Sequence, residues 1–250
     1  MRHILYCFVL LFITLSVSAQ PESWYLSLSM GGCLPVGSFA NANPSSAENG
    51  FAMRGFALNL DATYPLNRHW GIKGMVMLNS NPVDRNGMGT LMENRMKKLV
   101  SFTETERPDL IFSVNSWMSN SIIFGPVYSI NFDKLAWDFQ LMTGMHVAYL
   151  PNQHLIFSNP DNNWDYQQRN TNPIHISLDF LAGTAVRFPI NDKVQLKVAV
   201  DYQMSRVKNS YEELRMNYLG TTYSLDHLGS GSSTVSSDVV IGTVGFVFYL

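Results

Sequence analysis

Cysteine is nearly absent from this sequence, which contains only Cys7 and Cys33. Cys7 lies in an N-terminal leader, so Cys33 would be the only cysteine of the mature chain. A single cysteine cannot form an internal disulfide, and structural thiolate sites for metals use several cysteines. The sequence therefore excludes a disulfide-stabilised fold and gives no support to a cysteine metal site.

Charged residues are also scarce, at 14% of the chain, with a formal net charge of −2. Nucleic-acid-binding surfaces need an excess of Lys and Arg, so we expect no nucleic-acid partner. Glycine-rich phosphate loops and paired catalytic carboxylates at known spacing are missing as well. We therefore expect no cofactor and no strong catalytic motif.

Long apolar runs are missing beyond the first residues. Arg2 precedes an apolar stretch at 4–17, and small residues lead up to Ala19. This pattern predicts a signal peptide over 1–19, cleaved between Ala19 and Gln20. The apolar stretch is too short to span a bilayer as a helix, which takes about 20 residues. Removing a leader with one basic and no acidic residue would change the formal net charge from −2 to −3.

The mature chain, 20–250, instead shows apolar and polar residues in alternation, the pattern of β-strands. Eight such segments are separated by connections that are alternately long and short. This rhythm predicts an all-β fold: an eight-stranded antiparallel up-and-down transmembrane β-barrel with short periplasmic turns and four long extracellular loops. The segments lie at 24–30, 56–64, 70–78, 117–130, 135–149, 174–188, 194–204 and 234–250.

The two faces of these strands favour a membrane barrel over a soluble one. A soluble barrel or sandwich would bury its apolar face, whereas here the polar face is the one rich in Gly, Ala and Ser. Small residues suit the interior of a narrow eight-stranded barrel. Pro126 in the fourth strand predicts a bulge or a strand end. Aromatic residues near the turn-side strand ends would form a girdle at the membrane interface: Trp24, Tyr64, Trp70, Phe132, Trp137, Phe188 and Phe248.

A short helix is predicted within the second long loop, at 90–102. Thr90 and Glu93 have the spacing of a capping box. Arg95, Lys97 and Lys98 on this helix could contact lipid phosphates, although a solvated face is the interpretation we favour.

The inward polar face should contain a network of paired charges, because unpaired charges in a tight interior are costly. The turn that pairs Tyr64 with Trp70 would place Asp61 directly opposite Lys73. A gated polar pathway is the functional alternative to simple pairing. The predicted members are Asp61, Lys73, Asp138, Asp179, Arg187, Lys197 and Asp201.

One constellation could carry chemistry. His175, Ser177 and Asp179 share one face of the sixth strand. Neighbours on a strand face are about 7 Å apart, too far for the hydrogen bond between a nucleophile and its base. An interior polar network is therefore the interpretation we favour. His146 and His175 could approach each other across strands, but two histidines alone are a weak metal site.

The sequence resembles the porin-like, eight-stranded outer-membrane β-barrel domains of Gram-negative bacteria. The resemblance rests on segments 25–32, 34–39, 50–56 and 64–72, and on the aromatic-rich last strand. It implies an integral protein of the cell outer membrane, in contact with outer-membrane lipid and lipopolysaccharide. It also implies insertion by the barrel assembly machinery, which would recognise the last strand through Phe246, Phe248 and Leu250. No catalytic residue is shared across such proteins.

Three functions stay open at this stage. The first is a non-enzymatic barrel for envelope structure and surface interaction, with a protein or glycan ligand. The second is a channel or transporter for small solutes, and the third a lipid-modifying enzyme that uses His175 and Ser177. The loop aromatics could bind such a ligand or pack within the loops: Trp164, Tyr166, Tyr211, Tyr218 and Tyr223.

Overall fold

A computed structural model describes residues 24–44, 48–99, 109–151, 153–159, 164–170, 174–218, 221–224 and 231–250. The leader at 1–19 and its cleavage site between Ala19 and Gln20 lie outside these residues, so the signal peptide stays a prediction.

Eight long strands close into an antiparallel barrel, as the alternation predicted. Each strand pairs with the next, and the last strand pairs both with its predecessor and with the first strand, so the ring has no free edge. The barrel strands are β1 (Tyr25–Pro35), β2 (Gly55–Pro65), β3 (Trp70–Asn81), β5 (Trp117–Asn131), β6 (Ala136–Tyr149), β9 (Ile174–Pro189), β10 (Val194–Tyr218) and β13 (Val239–Tyr249).

The outer face of the barrel is apolar. Large hydrophobic side chains, such as Leu141 and Ile176, are exposed on all eight strands. Water does not stabilise such a continuous apolar surface, whereas the hydrocarbon core of a bilayer does. The predicted girdle residues all point outward, and so do Phe246, Phe248 and Leu250.

Three short turns join the strands at one end, which we name the turn side. They lie at 66–69, 132–135 and 190–193. In the first turn, the Asn67 side chain accepts hydrogen bonds from the backbone N–H groups of His69 and Trp70, both at 2.9 Å. Asn191 caps the third turn in the same way, bonding the backbone of Lys193 and Val194.

The predicted register of the first hairpin is wrong by two residues. Tyr64 lies opposite Ile72, so Asp61 faces Met75 and Lys73 faces Thr63. The Asn67 side chain accepts from the backbone N–H of Trp70, and the Trp70 carbonyl accepts from the backbone N–H groups of Leu66 and Asn67. The hairpin is therefore centred on Arg68, one residue later than in the predicted register.

Pro126 causes neither a bulge nor a strand end, contrary to the prediction. The β5–β6 register is the same before and after it, and pairing is interrupted only at Gly125 and Pro126. Pro126 is on the exposed face of a strand that continues to Asn131.

At the opposite end, the loop side, the long connections contain regular structure that the alternation did not reveal. Five short strands lie there: β4 (Asp109–Val114), β7 (Gln153–Asn159), β8 (Trp164–Asn170), β11 (Thr221–Ser224) and β12 (Gly231–Ser236). β10 continues for 25 residues, and its far end pairs with β8, β11 and β12. The outer sheet formed in this way continues from β8 to β7 and β4.

Two helices lie on the loop side, α1 (Gly37–Ala40) and α2 (Arg85–Leu99). The predicted helix is thus present, but it begins at Arg85 rather than Thr90. Asp84 is its cap, since its Oδ1 accepts from the backbone of Asn86 and Gly87. Thr90 instead donates to the Asn86 carbonyl. The side chains of Arg95, Lys97 and Lys98 lie outside the described part. No helix among the described residues is long and apolar enough to cross a membrane.

Buried apolar residues close the loop side of the lumen. Phe39 and Trp117 pack edge to face at 5.4 Å, and the Trp117 indole donates to the Gly50 carbonyl. Phe51 is buried beside them with a backbone φ of 52°, a conformation that is unusual for an aromatic residue. We name this group the loop-side cap: Phe39, Phe51, Met88, Leu91 and Trp117.

Candidate functional site

The polar lumen is the candidate site. All seven predicted members of the charge network are inside the barrel, and each is at most 5% exposed. Along β10, the inward side chains run from the turn side to the loop side in the order Gln195, Lys197, Asp201, Gln203 and Ser205. The network can therefore be followed in three levels.

The level nearest the turns is centred on Arg187 and Asp138. The guanidinium donates two hydrogen bonds to the carboxylate, Nε to Oδ2 at 2.7 Å and Nη2 to Oδ1 at 2.9 Å. Its Nη1 donates to the hydroxyl of Tyr249 and to Gln195, and the group lies 4.7 Å from the centre of the Tyr25 ring. This bidentate geometry is the strong form of a charge-assisted hydrogen bond.

The central level joins two lysines to two aspartates. Lys197 reaches across from β10 to Asp61, which also accepts from the Ser27 hydroxyl at 3.0 Å. Lys73 donates to Gln140 at 2.8 Å, and Gln140 in turn donates to Asp201. Gly183 makes room for Asp201, because a Cβ at Gly183 would lie 1.8 Å from its Oδ1.

The predicted pairing of Asp61 with Lys73 is only partly correct. Their charged atoms are 3.9 Å apart, but the closer partner of Asp61 is Lys197. Cross-strand neighbours were the basis of the prediction, whereas in a narrow barrel long side chains also meet across the lumen.

The loop-side level is centred on Asp179. Gln203 donates to its Oδ2 and also to the Ser121 hydroxyl at 2.9 Å, while Asn79 donates to Gln203 at 2.9 Å. His146 Nδ1 lies 3.0 Å from the Ser121 hydroxyl and 3.6 Å from Asp179 Oδ2. These contacts span the lumen from β3 to β9.

Unpartnered polar atoms are concentrated on this level. Among described residues, ten buried side-chain atoms have no hydrogen-bond partner, and four of them belong to Asn59, Asp61, Thr63 and Thr243. The other six are Asp179 Oδ1, Asn79 Oδ1, His146 Nε2, Ser205 Oγ and, further along β9 towards the loops, Ser177 Oγ and His175 Nδ1. The loop-side level is thus polar, buried and incompletely satisfied.

His175 and Ser177 point into the lumen, as alternation predicted, since their neighbours Ile174, Ile176 and Leu178 are exposed. His146 lies opposite Ser177, and His175 lies opposite Ala148, so the two histidines are not cross-strand partners. Neither the His175 Nδ1 nor the Ser177 hydroxyl has a hydrogen-bond partner among the described residues.

Several neutral residues of the network were not singled out from the sequence. Gln140 links Lys73 to Asp201, and Gln203 links Asn79 and Ser121 to Asp179. Tyr249 completes the Arg187 site. Their inward position follows from alternation, but their partners depend on how the strands are staggered around the barrel.

No group of three or more His, Cys, Asp or Glu residues that could hold a metal ion occurs in the described part of the chain. The loop aromatics lie on strands of the outer sheet, Trp164 and Tyr166 on β8, for example, but their side chains are outside the described part.

Comparisons with known proteins give matches at the level of architecture. A scan against protein-family models found no match, and a search of curated proteins found none either. Among solved structures, Ail, the attachment invasion locus protein of Yersinia pestis, matches with a TM-score of 0.42 and 13% identity, covering 92% of this chain and 100% of Ail.

Two further matches have similar values. Neisserial surface protein A gives a TM-score of 0.44 at 9% identity, covering 93% of this chain and 100% of that protein. A major outer membrane protein from Thermus thermophilus gives 0.42 at 12% identity, covering 92% and 100%. The fold of this chain is established by its own strand pairing: it is a closed, eight-stranded antiparallel barrel with an apolar outer face.

Proposed function

We propose that this protein is a non-enzymatic barrel of the outer membrane whose lumen is closed and whose loop side carries its interactions. The apolar outer face supports a location in lipid. The predicted signal peptide, contact with lipopolysaccharide and insertion by the assembly machinery belong to the same proposal.

This proposal rests on one observation: the lumen is filled by its own side chains, whereas the loop side has an additional sheet that a ligand could contact. Side chains that bond across the lumen, such as Lys197 to Asp61 and Asn79 to Gln203, fill its cross-section. On the loop side, by contrast, strands β8, β7 and β4 extend the wall into a separate sheet beside β10. Surface-exposed segments on a rigid scaffold are where binding residues concentrate.

The test replaces the β7–β8 hairpin, residues 153–170, by a two-residue Asn-Gly turn. The variant should still insert and migrate as a folded, heat-modifiable barrel, because the eight barrel strands are intact. Cells that display it should lose retention on a panel of immobilised glycans and surface proteins that retains cells with the unchanged protein.

Two results would contradict the proposal. One is equal retention by the variant and the unchanged protein on every surface. The other is steady passage of small sugars or ions through the unchanged protein in liposomes, which would favour the channel alternative.

A further inference from the structure

Buried charges are balanced in one part of the lumen and not in the other. The two levels nearer the turns contain three carboxylates, Asp61, Asp138 and Asp201, and three cations, Lys73, Arg187 and Lys197. Asp201 accepts a hydrogen bond from Gln140, which in turn accepts one from Lys73. These two levels are therefore neutral as a unit.

The loop-side level has one carboxylate and no lysine or arginine among its described contacts. Asp179 is fully buried, and its only described ion-pair partner is His146, at 3.6 Å. A buried carboxylate without an opposite charge is costly. A positive charge held beside Asp179 would offset this cost.

The atoms around Asp179 favour a cation bound through oxygen. Asp179 Oδ1 and Asn79 Oδ1 can only accept, and neither has a donor. Ser205 lies directly opposite Asp179 on β10, and Ser177 precedes it on the same face of β9; the hydroxyls of both are unpartnered. Carboxylate, amide and hydroxyl oxygens are the ligands that hard metal cations prefer.

We propose that the loop-side level of the lumen binds one alkali-metal cation, sodium or potassium, beside Asp179. A single carboxylate balances one positive charge, and the described residues do not form the multi-carboxylate cluster typical of a tight divalent site. This site goes beyond the proposed surface function and does not depend on it.

The direct test is diffraction from crystals of the mature protein grown with rubidium chloride, with rubidium standing in for potassium. We expect an anomalous peak within contact distance of Asp179 Oδ1 that disappears in Asp179→Asn. This variant should fold, because an amide oxygen can still accept from Gln203. Absence of a peak beside Asp179, or a peak that persists in Asp179→Asn, would overturn the proposal.

Thermal unfolding gives a second readout in solution. At pH 8 and equal ionic strength, sodium or potassium chloride should raise the unfolding temperature over choline chloride by about 2–5 °C. Asp179→Asn should remove this difference, whereas the matched control Asp133→Asn, in an exposed turn, should keep it. Equal unfolding temperatures in the alkali-metal salts and in choline chloride would overturn the site.

Discussion

The turn-side and loop-side parts of the lumen contain the same kinds of side chain but satisfy them differently. Around Arg187 and Asp138, both carboxylate oxygens accept from the guanidinium, and the remaining guanidinium bonds go to Tyr249 and Gln195. Around Asp179, one carboxylate oxygen and several neighbouring atoms have no protein partner among the described residues. The contacts around Arg187 and Asp138 thus fill and stabilise the lumen, whereas the unpartnered atoms around Asp179 remain available to bind a ligand.

This comparison can be tested by removing one partner at a time. The free energy of unfolding should fall most when a substitution leaves a buried charge without its partner. It should fall least when the side chain that is removed already lacks a hydrogen-bond partner.

Arg187→Met should give the largest loss of stability, about 3–5 kcal/mol, because it leaves the Asp138 carboxylate buried without its cation. Urea unfolding of the protein in lipid vesicles measures the loss. The double variant Arg187→Met with Asp138→Leu should recover much of it, since no uncompensated charge remains. A loss below about 1 kcal/mol in the single variant would mean that the Arg187–Asp138 pair contributes little to the stability of the barrel.

Lys197→Met should cause the second-largest loss of stability, and this loss should exceed that of Lys73→Met. Lys197 donates to both Asp61 and Ser27, whereas Lys73 stays 3.9 Å from the Asp61 carboxylate and donates to Gln140. In Lys197→Met, Lys73 still offsets part of the Asp61 charge. We therefore expect the loss of stability to lie at the low end of the range of about 3–5 kcal/mol. The same unfolding assay compares the two variants, and a larger cost for Lys73→Met would reverse the assignment of partners.

Gly183→Ala should have an intermediate effect, about 1–3 kcal/mol, because the new methyl group would overlap the Asp201 carboxylate. Gly74→Ala is the matched control, since a Cβ at Gly74 meets nothing within 4 Å and should change stability by less than about 0.5 kcal/mol. Equal effects at the two glycines would show that the central level tolerates displacement of Asp201.

Ser177→Ala, measured in choline chloride, should have the smallest effect, within about 0.5 kcal/mol, because without an alkali-metal cation its hydroxyl has no described partner to lose. This variant and His175→Ala also test the lipid-modifying alternative. We expect no lipase or acyltransferase activity in the unchanged protein. Activity that is lost in both variants would establish the enzyme in place of the proposed function.

The alternation of the sequence was sufficient to predict the barrel and the inward position of all seven charged residues. It could do so because side chains of a strand alternate strictly between two faces. Partners were harder to predict: Asp61 was paired with Lys73 through an assumed turn, whereas the observed register of that hairpin, with Asn67 capping its turn, differs by two residues.

The loop side was predicted least completely, for two physical reasons. The strand β8 is almost wholly polar, so it shows no contrast between two faces and gave no strand signal. The start of α2 was misplaced because Thr90 and Glu93 have capping-box spacing, while the actual cap, Asp84, precedes a weakly patterned first turn. For β8, pairing with β7 and β10 rather than a local pattern determines the structure.

Conductance of the purified protein in a planar lipid bilayer tests the central claim, a lumen closed by its own buried side chains. The account predicts no steady current for the unchanged protein, because the bonds of Lys197 to Asp61 and of Asn79 to Gln203 cross the lumen at two levels. Steady currents on the nanosiemens scale from the unchanged protein would contradict it.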